Sequence, residues 1–179
     1  MGVVAAAHAG QDGHAAPGLP ETYWALIAIA IVLIGLSALF ALSETSLTRM
    51  SKVKAIALTE ARRRGAPSLL KLVEHPERNL PVVLFALEIC TLVAATMIGV
   101  VADRAFGPLG VVVATAFEIV VIFVLAELAP KIWAVQHSER AALLIAPFLL
   151  AMVSFPAMRW STLALIKVAN AVLPGKGLK

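Results

Sequence analysis

Three carboxylates interrupt stretches of sequence that otherwise carry no charge: Glu88, Glu118 and Glu127. An ionisable group at the centre of a lipid bilayer costs at least ~2.5–3.5 kcal/mol, so a carboxylate kept there marks a functional site by default. Glu127 is followed by Pro130, which cannot donate a helical hydrogen bond to the carbonyl of Ala126. A freed carbonyl oxygen beside a carboxylate favours a hard cation with oxygen ligands.

Each carboxylate also has a structural interpretation. Lys131 lies four residues after Glu127, so the two side chains can form an ion pair at a helix end. Glu88 shares a helical face with Thr91, but a protonated Glu88 bonded to a neighbouring helix fits almost as well as a ligand. Glu118 lies nine residues before Glu127, on the opposite side of an α-helix. We therefore expect Glu118 to serve a dimer contact or another cavity.

Hydroxyl groups on the first apolar stretch add neutral oxygen atoms. Ser37, Ala41 and Glu44 share one helical face at positions i, i+4 and i+7. Ser43 points elsewhere unless the helix breaks locally. Ser37 can instead donate a hydrogen bond to its own backbone, which is common for serine in membrane helices.

The composition indicates a membrane protein. Of the 179 residues, 60% are hydrophobic and 15% are charged, whereas soluble domains average about 45–50% and 25%. A chain of this length buries only ~70% of its surface, so a soluble core cannot hold the excess. Cys90 is the single cysteine, which excludes an intramolecular disulfide. No nucleophile paired with a general base is visible, so we expect no enzymatic activity.

The net charge of +4 does not point to nucleic acid, because aromatic residues are sparse and the basic residues flank apolar runs. This placement favours anionic lipid headgroups, so the expected partners include membrane lipids and no nucleic acid. The basic run at residues 62–64 can hold phospholipid headgroups, although ordinary anchoring by positive charge explains it as well.

Three stretches approach the length of a membrane-spanning helix. They are Thr22 to Ser43, Asn79 to Ala102, and Ala105 to Ala126. Residues 1–48 contain no Lys or Arg, whereas residues 49–78 contain eight. The positive-inside rule therefore predicts an outside N-terminus and a cytoplasmic 49–78 segment. The predicted fold is an all-α integral membrane protein with three transmembrane helices, multi-pass in the cell inner (plasma) membrane.

The remaining segments are assigned by the same criteria. Residues 1–20 are small and polar and are predicted to form a flexible external tail. Residues 51–74 are predicted to form two short amphipathic helices split at 65–67. The apolar segment 141–173 is interrupted by prolines, and the basic tail after it is expected to stay inside. We therefore expect a kinked juxtamembrane region, either re-entrant or lying at the interface.

Four further motifs occur along the chain: LSALFALSETSL at 36–47, HPER at 75–78, AELAPK at 126–131 and SERA at 138–141. In this order they resemble motifs of the CorC/CNNM (cyclin M) magnesium transporters, in which the third is Gly-Glu-x-x-Pro-Lys. The resemblance covers about residues 20–175. It implies three spans with an outside N-terminus, a kinked juxtamembrane belt and a homodimer.

The resemblance also implies the domain organisation. Residues 21–175 would form the CorC/CNNM-type transmembrane domain, and residues 176–179 would begin a linker to a cytosolic pair of CBS domains. No such pair is found in the sequence. The chain is therefore expected to be a truncated form or a shorter homologue.

The family holds Mg²⁺ with first-span serines, a second-span asparagine and the glutamate of Gly-Glu-x-x-Pro-Lys. Two of these ligands are changed: Ala41 replaces one serine, and the Gly-Asn pair becomes Ala86-Leu87, next to Glu88. Either Glu88 rebuilds the site with more negative charge, or the site is degenerate. The predicted metal ligands are Ser37, Ser43, Glu88, Thr91 and Glu127.

Three functions follow from the resemblance and its departures. The first is transport of a divalent cation, Mg²⁺ above all, through a dimeric domain with an oxygen-ligand site formed by the three spans. The second is a non-transporting or regulatory membrane subunit with a degenerate site. The third is transport of another cation, such as Na⁺ or Co²⁺.

Overall fold

The computed structural model describes residues 21–154, and every regular element in that range is a helix. In chain order they are α1 (Glu21–Thr48), α2 (Lys52–Glu60), α3 (Ala66–Glu74), α4 (Pro76–Phe117), a π-helical segment (Glu118–Leu128), α5 (Ala129–Gln136) and α6 (Ser138–Val153). The all-helical fold class is confirmed for these residues. The predicted tail at 1–20 and the linker at 176–179 lie outside them.

Within residues 21–154, two helical stretches are long and apolar enough to cross a membrane, Tyr23–Thr48 and Pro76–Gln136. The first is α1, which continues past the predicted end of the span at Ser43. Its N-terminal half exposes large apolar side chains such as Trp24 and Ile31, while its C-terminal half is buried. α1 therefore has one end suited to lipid and another that enters the protein core.

The second apolar stretch folds back on itself at Gly107. This residue has φ 67° and ψ −161°, a conformation that is open essentially to glycine alone. Pro108 also disfavours a helical conformation at the residue before it. Ala102 precedes Gly107 and Val113 follows it by nearly the same number of residues, and both line one apolar cavity. The helices on either side of Gly107 therefore lie beside each other. The connection between the second and third predicted spans is thus a hairpin whose turn lies at Gly107, two residues past the predicted start of the third span at Ala105.

Residues 51–74 form two short helices, but the break between them lies at 61–65 and not at the predicted 65–67, because Pro67 fits the first turn of α3. Ser51 caps α2, because its hydroxyl accepts a hydrogen bond from the Lys54 amide at 3.3 Å. Gly65 precedes α3 in a left-handed conformation with φ 83°. A Cβ atom at this position would overlap the carbonyl oxygen of Leu143 on α6. Glycine is therefore required both by the backbone and by the close approach of α6.

One buried core joins the C-terminal half of α1 to α3, α5, α6 and the first turns of α4. The rings of Phe40 and Phe148 stack at 6.2 Å between α1 and α6. The Asn79 side chain donates to the Leu72 carbonyl at 2.8 Å and ties the start of α4 to α3. Thus the first part of the 141–173 segment packs on the core as α6, and its part after Ser154 lies outside the described residues.

Candidate functional site

A cavity of about 230 Å³ lies between α1, α4 and the π-helical segment. Its lining combines two hydroxyls and two carboxylates with apolar side chains: Ser37, Thr91, Ala95, Glu118, Ile119, Ile122, Phe123, Ala126 and Glu127. The volume accommodates a cation with several water molecules, at about 30 Å³ each. A concave apolar site with a few convergent polar groups is typical of a ligand pocket.

The two hydroxyls come from different helices and are fixed by their own backbones. The Ser37 hydroxyl on α1 donates to the Ile34 carbonyl at 2.8 Å, and the Thr91 hydroxyl on α4 donates to the Leu87 carbonyl at 3.0 Å. For Ser37 this is the backbone-bonded arrangement that is common for serine in membrane helices. Each hydroxyl oxygen uses its proton in this bond and keeps its lone pairs for a ligand.

The expectation that Glu118 and Glu127 face opposite sides is wrong, because the segment between them is not an α-helix. It is a π-helix, with i→i+5 hydrogen bonds and about 4.4 residues per turn. Nine residues therefore make about two complete turns, and both side chains reach the same cavity. The Ala129 amide shows the wider winding, since it donates to the carbonyl of Val124, five residues back.

Pro130 gives a physical reason for this winding. In a regular α-helix the proline ring would clash with the carbonyl of Ala126, four residues back, and would leave it without a donor. Here the wider turn, marked by the bond from the Ala129 amide to the Val124 carbonyl, ends immediately before Pro130. Wider turns of this kind are rare in proteins and occur frequently at functional sites.

Lys131 connects the cavity to α1. Its ammonium donates to Oε1 of Glu127 at 2.9 Å and lies 3.2 Å from Oε2 of Glu44. The ion pair considered from the spacing of Glu127 and Lys131 is therefore present, and a carboxylate from α1 extends it. With Glu118, these groups are three carboxylates and one ammonium, a formal charge of −2 when all are ionised.

Two predicted ligands lie outside the cavity. Ser43 is fully buried, and its hydroxyl donates to the carbonyl of Leu39 on the same helix. Glu88 lies nearer the start of α4 than Thr91 does, and its side chain is exposed. The structure thus brings together Ser37, Thr91 and Glu127 and leaves Ser43 and Glu88 apart from them.

Two residues of this site, Glu44 and Glu118, are not among the metal ligands predicted from the sequence. Glu44 shares a helical face with Ser37, and this periodicity could have identified it together with Lys131. For Glu118 no such signal exists, because α-helical periodicity places it on the wrong side. Only Pro130 hints that the winding changes nearby.

The site is poor in strong metal ligands. Between residues 21 and 154, no three His, Cys, Asp or Glu side chains lie close enough together to hold a metal ion on their own. A cation in the cavity would therefore combine one or two carboxylates with hydroxyl oxygens and water. Mg²⁺ favours such a set, because it retains several waters and binds through one or two carboxylates.

A family model described as the cyclin M transmembrane N-terminal domain matches residues 28–178. The chain belongs to the cyclin M transmembrane domain family. It is 32% identical over 117 residues to a UPF0053 protein of Haemophilus influenzae, and 30% identical over 107 residues to the UPF0053 inner membrane protein YfjD of Escherichia coli. It is also 31% identical over 118 residues to a chloroplast DUF21 domain-containing protein of Arabidopsis thaliana.

These matches cover 65%, 60% and 65% of the chain in the same order. The cyclin M domain here spans only 28%, 25% and 18% of the length of those relatives. The family and the long apolar helices together support a membrane domain.

Proposed function

We propose that this cyclin M domain transports a divalent cation, Mg²⁺ above all, across the cell inner (plasma) membrane. The observation that supports this function best is the cavity in which Ser37, Thr91, Glu118 and Glu127 converge. Oxygen ligands of these types suit Mg²⁺, and the cavity leaves room for the waters that this ion keeps. Ser43 and Glu88 remain predicted ligands that lie outside this cavity.

The proposal includes three membrane crossings with the N-terminus outside. α1 would be the first crossing, and the two arms of the hairpin, residues 76–106 and 108–136, would be the second and third. Eight Lys and Arg residues lie in 49–78, at the end of the hairpin opposite its turn. The positive-inside rule places that end in the cytoplasm.

The proposed functional unit is a homodimer surrounded by membrane lipids. Large apolar side chains of the second arm, including Leu109, Val113 and Phe117, are exposed. Such a surface suits lipid tails or a second copy of the chain.

A second candidate is a non-transporting subunit with a degenerate site. The position of Lys131 favours it, because an ammonium 2.9 Å from Glu127 already compensates the carboxylate that a cation needs. The absence of a Mg²⁺ response in the wild-type chain would support this candidate.

Flux into proteoliposomes tests transport directly. The wild-type chain and Glu127→Gln are reconstituted around a Mg²⁺-sensitive dye, with Glu60→Gln as a control, since Glu60 is exposed on α2. We expect Mg²⁺ entry with the wild type and the control, and entry at the rate of empty vesicles with Glu127→Gln. Equal entry in all three, or in none, contradicts the proposed function. Competition by Co²⁺ and Na⁺ in the same assay identifies the preferred ion.

A further inference from the structure

A second concave surface, of about 620 Å³, lies between the α2–α3 loop and α6. We call it the arginine groove. Its lining residues are Arg62, Arg63, Arg64, Gly65, Arg140, Leu143, Leu144 and Pro147. One side is thus cationic and the other apolar, and no carboxylate of residues 21–154 lines it.

The backbone of the α2–α3 loop, which carries three of the arginines, is held by hydrogen bonds and by its contact with α6. Arg62 has a left-handed φ of 52°, which is uncommon for a residue other than glycine. The Arg63 amide donates to the Leu58 carbonyl at 3.1 Å, and its own carbonyl accepts from the Ala66 amide at 3.2 Å. Gly65 packs directly against Leu143. The loop is therefore fixed against α6, beside Arg140.

No arginine of the groove forms an ion pair within residues 21–154, although Glu139 shares an adjoining cavity with Arg63 and Arg140. The ion pairs in the described part of the chain involve other cations, and the nearby Glu139 pairs with Lys54 at 3.9 Å. Residues 155–179 contain no Asp or Glu, and residues 1–20 contain only Asp12. The positive charge of the four arginines in the groove therefore suits an external anion.

We propose that the arginine groove binds the phosphodiester headgroup of an anionic phospholipid, whose acyl chain lies along Leu143, Leu144 and Pro147. One guanidinium group can donate two parallel hydrogen bonds to two oxygens of the same phosphate. An ammonium group acts as a point charge and lacks this geometry. Leu144 is 74% exposed, and an acyl chain would cover it. No aromatic side chain among residues 21–154 lines the groove, so this part of the chain offers no platform on which a nucleotide base could stack. This inference does not depend on the cation site.

Thermal unfolding of the purified chain in detergent tests the groove. The added compounds are phosphatidylglycerol, phosphatidylcholine and inorganic phosphate, each titrated separately. We expect phosphatidylglycerol alone to raise the Tm. Arg63→Gln/Arg140→Gln removes two guanidinium groups from the groove, and we expect it to bind this lipid roughly 30-fold more weakly.

A matched control separates a site from a general surface charge. Arg49 and Arg78 are exposed arginines that do not line the groove, so Arg49→Gln/Arg78→Gln should retain the wild-type response. Leu144→Gln keeps every arginine and should weaken the lipid response by removing the apolar wall. An equal loss in the control pair, an equal Tm rise with phosphatidylcholine or with inorganic phosphate, or an unchanged response in Leu144→Gln would each overturn the proposal.

Discussion

Glu118 and Glu127 lie nine residues apart in the sequence and line the same cavity. The π-helical winding between them makes this possible. Oε1 of Glu118 is buried and has no hydrogen-bond partner within the described part of the chain. A buried carboxylate oxygen without a partner is costly, and a bound cation would remove that cost.

Replacing Glu118 should therefore weaken the response to Mg²⁺. A ligand that binds only the folded state stabilises it by ~2.7 kcal/mol at 100 times its Kd. We expect Glu118→Gln to lose part of this stabilisation, measured as the Mg²⁺-dependent shift in Tm. Glu88→Gln is the matched change on an exposed carboxylate of α4 and should retain all of it. The opposite pattern would make Glu88 the ligand, as the sequence predicts, and would exclude Glu118.

Replacing Lys131 should lower the stability of the protein while leaving Mg²⁺ able to bind the same carboxylates. Lys131→Met removes the partner of both Glu44 and Glu127, and we expect it to lower the free energy of unfolding without Mg²⁺ by about 1–3 kcal/mol. Mg²⁺ should restore much of this loss, because it supplies positive charge to the same carboxylates. Lys71→Met, at an exposed lysine, should change stability by less than ~0.5 kcal/mol. A loss that Mg²⁺ leaves unchanged would show that Lys131 stabilises the fold independently of the site.

The sequence predicts much of the fold because its signals are local. Several features each indicate one element without reference to the rest of the chain. They are the uncharged runs, the basic 49–78 segment and the Gly-Pro pair at 107–108. The position of Glu118 could not be predicted in this way, because it depends on how the backbone winds between 118 and 128. Ser43 and Glu88 were chosen from family motifs and spacing, which do not specify how far each side chain is buried.

Gly65 should be essential for stability. Gly65→Ala combines a positive φ with an overlap against the Leu143 carbonyl, so the α2–α3 loop must move away from α6. We expect a loss of more than ~1 kcal/mol in the free energy of unfolding, measured in detergent. Gly35→Ala inside α1 is the control, because a Cβ atom added there would have no neighbouring atom within 4 Å apart from the adjacent backbone of its own helix. There alanine should be neutral or stabilise the helix by roughly 0.5–1 kcal/mol. Equal effects at the two positions would contradict the contact with α6.

The proposed orientation is tested by labelling with a membrane-impermeant thiol reagent. Cys90 is buried, so introduced cysteines should dominate the signal. Asp103→Cys, near the hairpin turn, should react in intact cells, and Glu60→Cys, at the end of α2, should react only after permeabilisation. Both positions are exposed in the structure. Reaction in the reverse order would invert the topology.

Calorimetric titration of the purified chain with Mg²⁺ tests the central claim most directly. The wild-type chain and Glu60→Gln should bind Mg²⁺ with the same affinity. Glu127→Gln keeps the size of the side chain but removes the negative charge beside the cavity, so we expect no measurable binding. Wild-type affinity in Glu127→Gln would contradict the assignment of this cavity as the cation site.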